Sequence, residues 1–152
     1  MEQSLDTTDQ TPAQQQLKRA FVLTSYGFFQ EALQSCERAA NLSDDELVPR
    51  TIQGAILTAS GRPSDAMKVL IRLQREHKNS ILCSLYLAEA CFLAGRHRRG
   101  WKTLNSLEEE AVAQSPWAEF YQNLRTAWEE LEEIEGLPGP LRVPMGEDDD
   151  ER

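Results

Sequence analysis

Gly27, Gly61 and Gly95 stand 34 residues apart, and each holds the same place in the same local pattern. Seven residues before them come Ala20, Gly54 and Ala88, and four before come Leu23, Leu57 and Cys91. Five after come Ala32, Ala66 and Gly100, and twelve after come Ala39, Leu73 and Leu107. An ungapped period of this length marks a stacked repeat, in which each unit buries its apolar face on a neighbour. Such stacks present a surface to another chain, so the pattern bears on function as well as fold.

Each position has a physical reason. The glycine supplies the left-handed geometry that ends a helix without a Cβ clash. The small residues seven before and five after it let two helices approach closely. In SYGFFQEALQSCERAANLSDD one helix ends at Gly27. A second follows with Phe29, Ala32, Leu33, Cys36, Ala39 and Ala40 at spacings of three and four. Gly100 stands where the other units have alanine, at about 1 kcal/mol of helix propensity. This resembles the tetratricopeptide repeat (TPR), a helix–turn–helix unit, over three units spanning about residues 13–112. The resemblance implies an all-α fold, a short right-handed α-solenoid.

The spacing predicts helices over about 13–26, 29–42, 47–60, 63–77, 80–94 and 97–112. Pro12 is placed to open the first, and Ser64 or Ser80 to cap a later one. A last helix over 115–135 starts at Ser115-Pro116. It carries Trp117, Phe120, Tyr121, Leu124, Trp128 and Leu131 on one stripe, with Glu119, Glu129, Glu130, Glu132 and Glu133 away from it. A terminal repeat leaves an apolar face open, and this helix is read as its cap. The domain is thus 12–135, with a polar arm over 1–11 and a Pro/Gly-containing acidic tail over 136–152, read as unable to pack a core.

Composition narrows the functional classes. The chain is 40% hydrophobic with net charge −9, which suits one soluble domain. No apolar run approaches the roughly 18 residues of a membrane span, and the start lacks the basic and apolar regions of a secretory signal. A cytoplasmic setting is expected. Cys36, Cys83 and Cys91 cannot all pair with one another and fall on apolar helix faces, as small core hydrophobes do. Their spacing is not that of a zinc site. His77 and His97 fall beside predicted turns next to basic residues, as solvated surface histidines do. No nucleophile elbow, phosphate loop or H-E-x-x-H motif occurs. The expectation is a protein that is not an enzyme, with no catalytic residue, no metal and no cofactor.

Charge is uneven. Between Arg62 and Lys102, nine Lys and Arg stand against Asp65, Glu76 and Glu89, whereas acids dominate from Glu108 to Glu135. Three readings stay open: a solvated outer face, an acidic tail 147–151 folding back onto the basic second helices, or a basic edge that docks an acidic partner. Nucleic acid is disfavoured, because the total charge is negative and no aromatics interleave with the basic residues.

The TPR resemblance also implies where a partner would sit. First helices line the concave side, at positions thirteen, ten, six, three and two before each glycine. The candidate groove residues are Leu17 and Phe21 in the first unit, Val48, Thr51 and Ala55 in the second, and Leu82, Leu85, Glu89 and Phe92 in the third. This set has no Lys or Arg. It therefore lacks the clamp by which some TPR proteins hold the acidic C-terminus of heat-shock chaperones. An apolar lining suits an amphipathic helix laid lengthwise. Some of these residues could instead pack against the capping helix or a dimer mate, and a homodimer stays open. Glu89 would favour a basic or amide group on the partner.

The segment GAILTASGRPSDAMKVLIRLQREHKNSILCSLYLAEACFLAGRHRRGWKTLNSL resembles, in layout, the small TPR-type chaperones of bacterial type III secretion systems, in particular those of the needle subunit. The resemblance implies a partner that presents an amphipathic helix, namely a needle subunit together with a small co-chaperone. The alternative is a TPR scaffold or regulatory adaptor that stays in a multiprotein complex.

Overall fold

The structure, a computed structural model, describes residues 10–137. Nearly all of the polar arm 1–11, and the tail 136–152 beyond its first two residues, lie outside them. The described residues fold as all-α. The helices are α1 (Pro12–Ser25), α2 (Phe29–Leu42), α3 (Leu47–Ala59), α4 (Pro63–Glu76), α5 (Ile81–Leu93), α6 (His97–Asn105), α7 (Glu109–Ala113) and α8 (Ala118–Glu135).

The 34-residue period is visible in the backbone. Gly27, Gly61 and Gly95 have φ of 85°, 85° and 83°. Their N–H groups donate to the carbonyls of Thr24, Thr58 and Phe92. The next N–H groups, of Phe28, Arg62 and Arg96, reach back to Leu23, Leu57 and Cys91 at 2.9, 2.8 and 2.7 Å. This is the Schellman arrangement, which satisfies carbonyls a helix end would leave open. It recurs at Gly136, where Leu137 N–H donates to Glu132 O. Helix starts are specified too. Thr11 and Gln14 form a reciprocal capping box on α1, with Pro12 in its first turn. Ser80 Oγ accepts from Cys83 N at the start of α5.

The chain divides into two compact units within α4, between Val69 and Leu70. The first has a core of Ala20, Ala32, Cys36 and Ile56, flanked by Leu17, Leu23, Phe29, Leu33 and Ile52. Ala20 and Ala32 are both fully buried, as their close-approach positions require. Arg50 ties α3 to α2 through a two-pronged contact with Glu37, at 2.7 and 3.2 Å, and also bonds Glu46 and Gln53. The Arg50 guanidinium holds the Glu37 carboxyl below its ordinary range.

The second unit has a larger, aromatic core. Leu85, Ala88, Phe92, Trp101, Leu104, Val112, Tyr121 and Leu124 are buried, with Ile81, Leu107, Phe120 and Trp128 against them. Fully burying a side chain of this class is worth ~1.5–3 kcal/mol, so α8 is held by a substantial apolar contact.

Two helix boundaries differ from expectation. The helix expected over 97–112 stops at Asn105. Ser106 N–H bonds the carbonyls of Lys102 and Thr103, and its hydroxyl takes Thr103 O as well. A serine that competes for backbone groups in this way ends a helix. The five-residue α7 then carries Val112 into the core. The last helix begins at Ala118, because Ser115 Oγ accepts from Trp117 N and holds Ser115–Trp117 as a turn.

All three cysteines are buried thiols, and burial pushes Cys36 up to about 11. His97 is not a solvated histidine. It is half-buried, with Nδ1 2.7 Å from Glu132 Oε2. Glu132, expected on the polar side of its helix, is fully buried.

Candidate partner-binding surface

The candidate groove residues separate by their offset from the repeat glycine. At thirteen before it, Gln14 and Val48 are exposed and Leu82 is half-buried. At six before it, Phe21 is 56% exposed, and Ala55 and Glu89 are half-buried. These two offsets differ by seven residues, about two helical turns, and so share one face. The offsets ten and three before the glycine also differ by seven, but they turn toward the packing, whereas at two before it Ser25, Ala59 and Leu93 are exposed. At ten before the glycine, Leu17 is half-buried against the first core, while Thr51 and Leu85 are 2% and 0% exposed. At three before it, Thr24 is half-buried, and Thr58 and Phe92 are 8% and 2% exposed.

Leu85 and Phe92 therefore do not present themselves to a partner. They are core residues of the second unit, and Phe92 is enclosed by rings. Trp128 stacks on it at 5.0 Å and 12°, and Trp101 meets it edge-on at 5.0 Å and 73°. Thr51 is buried as well, and its Oγ1 has no hydrogen-bond partner. The accessible members of the set are Phe21, Val48 and Ala55 in the first unit and Leu82 and Glu89 in the second. None is basic.

The first unit exposes further apolar side chains that the groove pattern did not include, namely Val22, Tyr26, Phe28 and Leu42. The repeat itself carries the signal for two of them. Tyr26 aligns with Ser60 and Ala94, and Phe28 with Arg62 and Arg96. Large aromatics thus flank the first glycine where the later turns are small or charged. Val22 aligns with Ile56 and Ala90, both buried.

Glu89 is a half-buried carboxylate on an otherwise apolar helix. Burial pushes its carboxyl above the ordinary range. The Tyr86 hydroxyl is also raised, by burial and then by Glu89. A cationic or amide group brought to Glu89 would offset that desolvation.

The most developed polar cluster lies between α6 and α8. Trp101 Nε1 donates to both oxygens of Glu132 at 2.9 Å, and His97 Nδ1 meets Oε2. An ionised carboxylate can only accept, so Nδ1 is then the protonated ring nitrogen. His97 also packs by its ring on Phe92 and Trp128. A His–Glu pair can serve acid–base chemistry, but this carboxylate sits behind an indole and inside the core. Its geometry orients and fastens α8. Among the described residues, no group of three His, Cys, Asp or Glu could hold a metal ion. No helix among them is long and apolar enough to cross a membrane.

No family model matches the chain, and neither a curated protein nor a solved structure matches it.

Proposed function

We infer that the chain is a non-catalytic protein-binding module of TPR type, three helix–turn–helix units in a short right-handed α-solenoid with α8 as the cap. Its role is that of a cytoplasmic type III secretion chaperone. It holds an amphipathic helix of an export substrate, such as a needle subunit, so that the apolar face of that helix cannot assemble early.

The observation that carries this reading is the exposure of Phe21 and Val48. Both lie at repeat offsets that stay accessible, thirteen and six before the glycine, on the first helix of their pair. An exposed phenylalanine at a position that repeats as Ala55 and Glu89 contributes little to its own fold and offers an anchor to another helix. The three identical turns support the repeat assignment. The size and layout of the chain support the narrower one.

The test is purification of the tagged protein from its own cells, beside the Phe21→Ala/Val48→Ala variant. A dominant small helical partner in fixed ratio, held monomeric by the wild type and lost with the variant, is expected. Retention of that partner by the variant would overturn the surface assignment. Co-purification with many subunits of one persistent complex would replace the chaperone by a scaffold.

A further inference from the structure

On α1, the positions twelve, nine, five and one before Gly27 hold Gln15, Lys18, Val22 and Tyr26. Steps of three and four set them on one line along the helix. All four are exposed. The second repeat has Pro49, Ile52, Ile56 and Ser60 at these offsets, and the third has Cys83, Tyr86, Ala90 and Ala94. Every one of those is buried or half-buried. The preceding helix contributes to the cover in both cases. Ile56 of α3 shares a core with Cys36 of α2, and Ile52 packs against it. Cys83 Sγ of α5 lies 3.8 Å from the Leu70 carbonyl of α4. Among the described residues no helix precedes α1. Its outer line is therefore a packing edge laid out for a helical neighbour.

α8 carries a second exposed apolar line. Ala127, Leu131 and Ile134 follow one another by four and three residues, turned away from the buried Tyr121, Leu124 and Glu132. Ile134, at 80%, and Tyr26, at 76%, are the most exposed large hydrophobic residues among those described, one on each line.

The charges around the two lines are opposite. α1 holds Lys18 and Arg19 and no acid. Arg19 is engaged with Ser35, whereas Lys18 makes no ion pair with a described residue. From Thr126 to Glu135 there is no Lys or Arg, and Glu129, Glu130, Glu133 and Glu135 are exposed. Pairing α1 with another α1 would set Lys18 against Lys18. Pairing α8 with another α8 would set glutamates against glutamates, and like charges brought together across an interface are costly. Only α1 against α8 joins apolar to apolar and cation to acid.

We propose that the outer line of α1 is a docking edge for a second copy of this chain, which covers it with the outer line of its α8. Val22 and Tyr26 meet Leu131 and Ile134 there, with Lys18 beside the glutamates. The contact joins unlike surfaces, so copies add in series or close into a ring. One helix laid on another is a small interface, and small interfaces associate weakly. The edge is distinct from the offsets that carry Phe21 and Val48, and it does not depend on the functional reading above.

The test is sedimentation of the whole chain over a wide range of concentration, beside two full-length variants. Val22→Gln/Tyr26→Gln disables the α1 line, and Leu131→Gln/Ile134→Gln disables the α8 line. All four residues are exposed, and glutamine is a good helix former, so helicity should be retained. The mass of the wild type should rise with concentration. Each variant alone should associate at least tenfold more weakly. An equimolar mixture of the two should recover association as a one-to-one dimer and nothing larger, because the first variant keeps its α8 line and the second its α1 line. Lys18→Gln should weaken the wild-type association and make it less sensitive to salt. A wild type that stays monomeric throughout would overturn the proposal, as it would if α8 or another segment of the same chain covered the edge. So would association lost with only one of the two variants, which would assign it to like-with-like pairing, or a mixture that stays monomeric.

Discussion

The ring of Phe92 fills the space into which a side chain at Gly100 would grow. A Cβ at residue 100 would lie 2.8 Å from Cε1 of that ring and 2.9 Å from Cδ1 and Cζ. In the first two units the same offsets hold Thr24 with Ala32 and Thr58 with Ala66. The third unit has enlarged one member of the pair and shrunk the other. The enlarged member is the one that stacks on Trp128 of α8. The backbone repeat is thus kept, while its packing is altered where a helix outside the repeat must be received.

Gly100→Ala is therefore expected to destabilise the protein. Propensity alone favours alanine by about 1 kcal/mol, whereas overpacking a closed core costs ~1–3 kcal/mol. Phe92 has Trp101 and Trp128 against it and cannot swing away cheaply. Urea unfolding should show a net loss for Gly100→Ala, and Phe92→Leu/Gly100→Ala should recover part of it. A stabilised Gly100→Ala protein would show that the ring is free to move.

The period made helices, turns and core alanines legible in the sequence, because a left-handed turn and a close helix approach each demand a residue type. Burial on the last helix was less legible. The apolar stripe through Tyr121, Leu124 and Trp128 continues by a step of three to Leu131 or of four to Glu132. Hydropathy selects Leu131, yet Leu131 is exposed and Glu132 is buried. The carboxylate is admitted because an indole N–H and an imidazole on α6 meet it, and pairings across 35 and 31 residues leave no local pattern. Burial along the candidate groove was legible only in part. The offsets defined an inward face, but the accessible and buried stripes are adjacent on that face. Trp101 of α6 and Trp128 of α8 close over Phe92, and neither belongs to its local pattern.

The Glu132 cluster should behave as one unit. Glu132→Ala removes the shared acceptor and leaves Trp101 Nε1–H buried without a partner, at an expected cost of about 1–3 kcal/mol. Trp101→Phe alone should also destabilise. In the double variant the orphaned donor is gone, so the two costs should sum to more than the observed loss, with a coupling of about 1 kcal/mol or more. Additive costs in a double-mutant cycle would show that the indole and carboxylate contribute independently.

Thr51 carries a cost that valine would remove. Its hydroxyl is buried without a hydrogen-bond partner, and valine has nearly the same shape and the same branching at Cβ. Thr51→Val should stabilise the protein by about 1 kcal/mol, the lower end of the cost of an unsatisfied buried group. Because the residue is 2% exposed, partner binding should not change. Chemical denaturation together with the co-purification assay reads both. A destabilised variant would mean that the hydroxyl is satisfied in solution.

Glu37 and Glu89 should give opposite pH signatures. Glu37 is held below the ordinary value of ~4.3 by Arg50, so in the window just below that value the unfolded chain binds more protons than the folded one. Its stabilisation is present at neutral pH and is lost as pH falls through its folded pKa. Glu37→Gln should be less stable at pH 7, by no more than about 1 kcal/mol for so exposed a pair, and equal to wild type in strong acid. Glu89 is raised by burial, so just above the ordinary value the folded chain binds more protons. Stability then falls as pH rises through its folded pKa. Glu89→Gln should be the more stable protein at pH 7, with the difference vanishing below about pH 4. Unfolding midpoints between pH 3 and 7 would settle both, and a Glu89→Gln protein less stable than wild type at pH 7 would show that its carboxylate has a partner in solution that offsets its burial.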